Sequence, residues 1–476
     1  MSLPEPIFDL QQDVRQGKTS CIAIVERHLS CIEHTRCHKA YIEVWADEAR
    51  ERAKTLDQKA LTQPDQLGRL FGVVVSLKDN ICYAGHQVTA ASEILQGFIS
   101  LYSATAVERL LAEDAILIGR TNCDQFGMGS SNENSCYGPV QHPLDAARVS
   151  GGSSGGAAVS LATGTCTVAI GSDTGGSVRQ PAGFCGVYGF KPTYGRISRH
   201  GLIAYGSSFD QIGIMAHHAD DLLRVLEVME GPDGHDATVS NMPQQQPSPC
   251  GKQYRLAYIG DTLEHSSMDA GVKKVTQDFI ATLRTHGHDA SSATFDLLDY
   301  IIPAYYVLTT AEASSNLARF DGVRYGYRHP SVRNLQETYL KSRTAGFSTE
   351  VKRRILLGTF VLSSGYYDAY YTKAQQVRRL IRDRLMEIFE THDFILLPVA
   401  PTTAWRFEEK SDDPVAAYLS DVFTVLANLA GLPAMSIPAG HHPDDGMPIG
   451  VQLMGRPGSD YELLAFASAL QGKRKG

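Results

Sequence analysis

Apolar positions along this chain follow two rhythms. In residues 19–60, Ile22, Val25, Leu29 and Ile32 recur at helical spacing behind a cap at Thr19 or Ser20, and the charged stretch from Asp47 to Lys59 continues in the same style. Tyr41, Val44 and Trp45 lie between these two helices and read as core contacts. From Leu67 the rhythm changes to short apolar runs alternating with helical patterns. Residues 71–80 (FGVVVSLKDN) form a β-branched, buried strand that ends in Lys78, and residues 115–119 and 167–170 are two more strands. Residues 104–112 and 157–162 are helix candidates. Continuous apolar strands interleaved with helices predict an α/β fold with a mostly parallel sheet covered on both faces.

Residues 232–252 break the pattern. They hold Gln244 to Gln246, several prolines and few large apolar side chains, and are read as a surface excursion before a strand at 255–259. Helices then dominate as far as Glu390, a strand follows at 394–400, and residues 421–470 read helix, strand, strand, helix.

Composition narrows the classes. At 476 residues and 43% hydrophobic the chain can bury a large core. A net charge of −8 argues against a primary nucleic-acid surface on this chain, though not against contact through a partner. Nine cysteines without a C-x-x-C pair suit a reducing compartment. Residues 1–12 lack the apolar core of a signal peptide, and no run approaches the roughly 18 apolar residues of a membrane span, so a cytoplasmic protein without a membrane partner is expected. Sixteen histidines show no metal-ligand spacing, and no metal is expected.

The candidate chemistry lies in residues 150–193, where two glycine-flanked serine turns, Gly151 to Gly156 and Gly175 to Ser177, enclose a short apolar run. Glycine lets backbone N–H groups approach a ligand, an arrangement suited to a developing negative charge. A lone G-G-S would be an ordinary tight turn. A phosphate loop fails, because neither turn is followed by Gly-Lys-Ser/Thr and neither fits G-x-G-x-x-G. Residues 151–155 formally match G-x-S-x-G, but the preceding DAARV is not the strand a hydrolase elbow requires. Lys78, at the edge of an apolar core, would lose solvation and become a neutral amine able to take a proton, or would snorkel to water as most strand-end lysines do. The polar loop 121–135 reads equally as a solvated loop or a pocket wall.

Together Lys78, the GGSSGG turn around Ser153 and GSDTGGSVRQP around Ser177 resemble the amidase signature family, serine hydrolases with a Ser-Ser-Lys triad. The resemblance implies a mixed sheet sandwiched between helices, an N-terminal helical segment over residues 1–60 and a catalytic domain over 61–476. It assigns Ser177 as nucleophile, Ser153 as a bridging serine in a cis peptide, Lys78 as base, and the N–H groups around Thr174, Gly175 and Gly176 as the oxyanion hole. It also places the loop holding Met128, Gly129 and Ser130 beside the substrate.

The stretches EASSNLARFDG (312–322), RRILLGTF (353–360) and SSGYYDAYY (363–371) further resemble the branch of that family that serves as glutaminase in tRNA-dependent amidotransferases. That branch implies Arg354 on the α-carboxylate of glutamine and Asp421 on its α-amino group, with Tyr305 or its neighbour Tyr306 nearby. A zwitterionic substrate needs such a fixed cation and anion. It implies GatB-like and GatC-like partner subunits, tRNA bound mainly through the partner, and ATP and Mg²⁺ at the partner, with no cofactor in this chain. A stand-alone amidase on small or aryl amides would need the triad but not Arg354 and Asp421. A non-catalytic scaffold is disfavoured by the filled triad positions.

Overall fold

The computed structural model describes residues 5–240, 242, 252–409 and 418–474. An eleven-stranded sheet forms its centre. In chain order the strands are β1 Tyr41–Val44, β2 Val74–Lys78, β3 Ile116–Thr121, β4 Val168–Asp173, β5 Tyr188–Lys191, β6 Gln211–Ala216, β7 Arg255–Ile259, β8 Asp289–Ala293, β9 Phe394–Pro398, β10 Ala434–His441 and β11 Pro448–Gly455. They lie side by side in the order β1-β3-β2-β4-β6-β5-β10-β11-β9-β7-β8.

Side chains alternate across each strand, so one apolar run supplies both faces. Val75 and Leu77 join a core with the helices Thr105–Ala112, Ala219–Met229 and Asp460–Arg474. Val74 joins a second core on the other side, with the helices Cys21–His34 and Ala46–Thr62. Helices Leu298–Asn316 and Lys373–Thr391 cover β7 and β9. The α/β class and the helix-covered mixed sheet therefore agree with expectation.

The expected predominance of parallel strands is corrected. Only β2 with β3 and β4, and β7 with β8 and β9, pair in parallel; the other six neighbouring pairs are antiparallel. Burial on both faces makes a strand apolar whatever its direction, and hairpins such as β10–β11 reverse the chain without a crossover helix.

Residues 5–60 are mostly helical, and β1 among them pairs antiparallel with β3 at the sheet edge. Ser20 caps its helix by accepting from Ala23 N. The helix Ile7–Arg15 is tied to the core by its first amide, which donates to Asp221 Oδ1 at 3.0 Å. Of the surface excursion at 232–252, residues 241 and 243–251 lie outside the described residues. Its first part is anchored, with the Thr105 hydroxyl on Asp233 (2.5 Å) and Arg199 on Asp236 (2.8 and 2.9 Å).

Candidate active site

Lys78 ends β2 between two parallel neighbours, at the carboxyl edge where α/β sheets bind ligands. It is wholly buried rather than snorkelling. Its Nζ lies 2.7 Å from Ser153 Oγ, 2.9 Å from both Ser154 Oγ and Ser172 Oγ, and 3.4 Å from the Ser172 carbonyl. Burial pushes the Lys78 pKa down, opposed by Cys123, Asp124, Asp173 and Asp210. The Ser154 hydroxyl donates to the Ser172 carbonyl at 3.1 Å, and Asn80 Nδ2 donates to Ser172 Oγ at 2.8 Å.

The first serine turn is held by the loop that follows β3. The Gly152–Ser153 peptide is cis. Gly152 packs so tightly on Asp124 and the amides of Ser131 and Asn132 that a Cβ there would collide with all three. Asp124 N donates to the Ser153 carbonyl (3.1 Å), while its carboxylate accepts from Asn132 N (2.9 Å) and Asn134 N (3.1 Å). Burial pushes that carboxyl up to about 6. Loop 121–135 is thus a buried buttress and not a solvated loop.

Ser177 follows the second turn and is 8% exposed. Ser154 N donates to the Ser177 carbonyl at 3.1 Å, which sets the two turns side by side. Among the described residues the Ser177 hydroxyl has no hydrogen-bond partner, so Lys78 and Ser153 are in contact while no hydrogen bond joins Ser177 to either.

Of the three expected oxyanion residues, the Gly176 amide is already engaged, donating to Asp173 Oδ1 at 2.9 Å. The amides of Thr174, Gly175 and Ser177 have no acceptor among the described residues. Asp173 sits against Arg179 through contacts of 2.9 and 3.0 Å, both side chains fully buried. Burial raises the Asp173 carboxyl, but the Arg179 guanidinium outweighs it and holds the carboxyl well below the usual range.

Arg354 lies on the helix Thr349–Val361, whose neighbouring Arg353 is exposed while Arg354 turns into the protein. Its Nε donates to Glu350 Oε1 (2.8 Å) and its Nη1 to the Tyr205 hydroxyl (2.7 Å). The rings of Tyr205, Tyr306 and Tyr418 surround the guanidinium at 5.5, 5.1 and 5.6 Å. Nη2 has no hydrogen-bond partner among the described residues. Asp421 accepts from the Ser130 hydroxyl, and burial pushes its carboxyl up to about 7 against Ser130 and Arg354.

The adjacent tyrosines face different groups: the Tyr305 hydroxyl packs on Gly175, where a Cβ would strike it, and Tyr306 lies over Arg354. Met128 is buried in an apolar cluster with Tyr205, and Gly129 packs on the Asp124 carboxylate. Reading the sequence missed Ser154, Ser172, Asn80, Asp124, Tyr205, Glu350 and Tyr418. Only Glu350 carried a local signal, its i,i+4 spacing from Arg354. Among the described residues no group of three or more His, Cys, Asp or Glu could hold a metal ion, and no helix is long and apolar enough to cross a membrane.

The amidase family pattern matches residues 23–464. The chain belongs to the amidase signature family. It is 49% identical to the A subunit of glutamyl-tRNA(Gln) amidotransferase from Prosthecochloris aestuarii over 471 residues, covering 98% of each chain. It is 47% identical to the protein of the same name from Symbiobacterium thermophilum, covering 96% of this chain and 94% of that one. The crystal structure of the Thermotoga maritima protein of that name superimposes with a TM-score of 0.77 at 35% identity, covering 96% of this chain and 95% of that one. The chain is an amidase-family enzyme.

Proposed function

We propose that this chain is the glutaminase subunit of a tRNA-dependent amidotransferase, hydrolysing glutamine through Lys78, Ser153 and Ser177. The observation that carries the reading is a fully buried amine ringed by serine hydroxyl groups. The relatives named for glutamyl-tRNA(Gln) amidotransferase supply the amidotransferase context.

The hydrogen-bond pattern suggests the direction of proton flow. The Ser154 hydroxyl spends its proton on the Ser172 carbonyl, so it can only accept from Lys78. A neutral Lys78 then places its two N–H bonds on Ser154 and Ser172 and turns its lone pair to Ser153, the shortest of its contacts. Ser153 can therefore give its proton to Lys78 while taking one from Ser177, a relay that closes when Ser177 rotates onto it.

Ser177 Oγ attacks the side-chain amide carbon of glutamine. The Thr174, Gly175 and Ser177 amides hold the oxyanion, because the Gly176 amide is committed to Asp173. The proton on Lys78 returns through Ser153 to the leaving nitrogen, ammonia departs, and water releases glutamate from the acyl-enzyme. Arg354 Nη2 receives the α-carboxylate and Asp421 the α-ammonium group.

In this reading GatB-like and GatC-like subunits complete the enzyme. The partner carries ATP, Mg²⁺ and most of the tRNA contact, and the protein works in the cytoplasm. The test uses the chain assembled with those subunits: Ser177→Ala should lose glutamine-dependent amidation by orders of magnitude and keep ammonia-dependent amidation. Robust turnover of neutral amides with no glutaminase activity in that complex would overturn the reading in favour of a stand-alone amidase.

A further inference from the structure

We propose that Asp210 is a positioning residue that ties the oxyanion loop to the turn that carries the Tyr205 partner of Arg354. The inference rests on the reading above, in which Ser177 attacks and the loop amides receive the oxyanion.

The sheet brings the parts together. β4 ends at Asp173 and β6 begins at Gln211, and these two residues are paired across the antiparallel ladder. The residues just beyond them, Thr174 and Asp210, therefore meet at the same edge. The Thr174 hydroxyl donates to Asp210 Oδ1 at 2.6 Å. Gly206 N donates to the same oxygen at 3.1 Å, and Tyr205 N donates to Oδ2 at 2.8 Å. Asp210 is buried, so water does not compete for these bonds.

Two other side chains clamp the loop: Asp173 holds the Gly176 amide, and the Thr424 hydroxyl donates to the Gly175 carbonyl at 2.7 Å. Of the three clamps, Asp210 alone also holds the Tyr205–Gly206 turn. Tyr205 continues the chain of contacts, donating its hydroxyl proton to Thr309 Oγ1 (3.0 Å) while accepting from Arg354 Nη1. One carboxylate thus sets the spacing between the oxyanion donors and the guanidinium that seats the substrate carboxylate. In the reading above the substrate spans that gap from side-chain amide to α-carboxylate, so loosening it should weaken discrimination between glutamine and the shorter asparagine.

The variants separate this role from general structure. Asp210→Asn is isosteric and can still accept from Thr174, but it turns an N–H donor toward the Tyr205 amide, so that tie is lost. Thr174→Val cuts the other tie and leaves Asp210 in place. In the assembled enzyme each should lower kcat for glutamine hydrolysis by about 10-fold to 10²-fold, the scale of misplacing a reacting group by an ångström. Each should also narrow the preference for glutamine over asparagine by about tenfold, and the double variant should lose less than the product of the two. Tyr205→Phe keeps the Asp210 contact and should raise KM for glutamine with little change in kcat.

Ammonia-dependent amidation by the same complex reports intact assembly, and Thr174→Val carries the test if Asp210→Asn does not fold. Values of kcat and selectivity within threefold of the unaltered enzyme in these variants would overturn the inference, as would independent, multiplying effects. If Ser177→Ala itself kept its glutaminase activity, the underlying reading would fail instead.

Discussion

Replacing Lys78 with methionine isolates the proton relay. The side chain is wholly buried and its nitrogen touches three serine hydroxyl groups between 2.7 and 2.9 Å. Methionine fills a similar length with apolar atoms, so packing is largely kept while Ser153 loses the acceptor for its proton. A positioned base is worth about 10² to 10⁴ in rate, or roughly 3 to 5 kcal/mol of activation free energy at 1.36 kcal/mol per decade. Because the relay acts as a unit, adding Ser153→Ala to Lys78→Met should cost little more. The assay is ammonia release from glutamine by the assembled enzyme across a pH series. Burial lowers the Lys78 pKa, so the neutral form needed as base persists to pH values below the free-lysine value of 10.5. Activity of the unaltered enzyme should fall as pH drops through that lowered pKa, and the residual activity of Lys78→Met should lack this limb. A variant within tenfold of the unaltered enzyme, or one that keeps the limb, would refute the assignment of Lys78 as base.

Further outcomes follow from the substrate end of the site. Arg354→Gln should raise KM for glutamine by about tenfold or more, with a smaller effect on kcat, as expected when a charge-assisted contact to the substrate is lost; a titration of initial rates reads both. Asp421, raised to about 7, can hold an ammonium group only when ionised, so KM should climb as pH falls below about 7 and Asp421→Asn should abolish that climb. Glu350→Ala leaves the Arg354 guanidinium buried without its counter-charge and should destabilise the protein by about 3 kcal/mol, read as a lower thermal midpoint. An unchanged midpoint would mean that the ring of tyrosines alone satisfies Arg354.

The parts of the site visible in the sequence were those carried by contiguous motifs. Lys78 stood out because a β-branched run ends on it, and the two serines because glycine surrounds them. Strand β7 is found at the expected residues, and the C-terminal order of helix, strand, strand, helix is the observed one. What stayed hidden depends on contacts across the chain. Tyr205 reaches Arg354 from 149 positions away, and Thr174 meets Asp210 because β4 and β6 pair antiparallel, a direction that apolar runs do not encode. The Gly176 amide looked available as a donor until the Asp173 carboxylate folded back onto it. Ser154 stands next to Ser153 in sequence, yet its role as an acceptor from Lys78 emerges only from where its own proton goes. Strand β1 leaves no such mark, because four residues are too few to establish a period of two, although Tyr41, Val44 and Trp45 do pack on the core.

Trapping the acyl-enzyme is the most direct test of Ser177 as the attacking oxygen. The assembled enzyme is mixed with glutamine, quenched in acid within one turnover, digested, and its peptides are weighed by mass spectrometry. A glutamyl adduct on the peptide at Ser177, absent after Ser177→Ala, is the predicted result. An adduct on Ser153 or on any other residue, or steady ammonia release by Ser177→Ala, would contradict it.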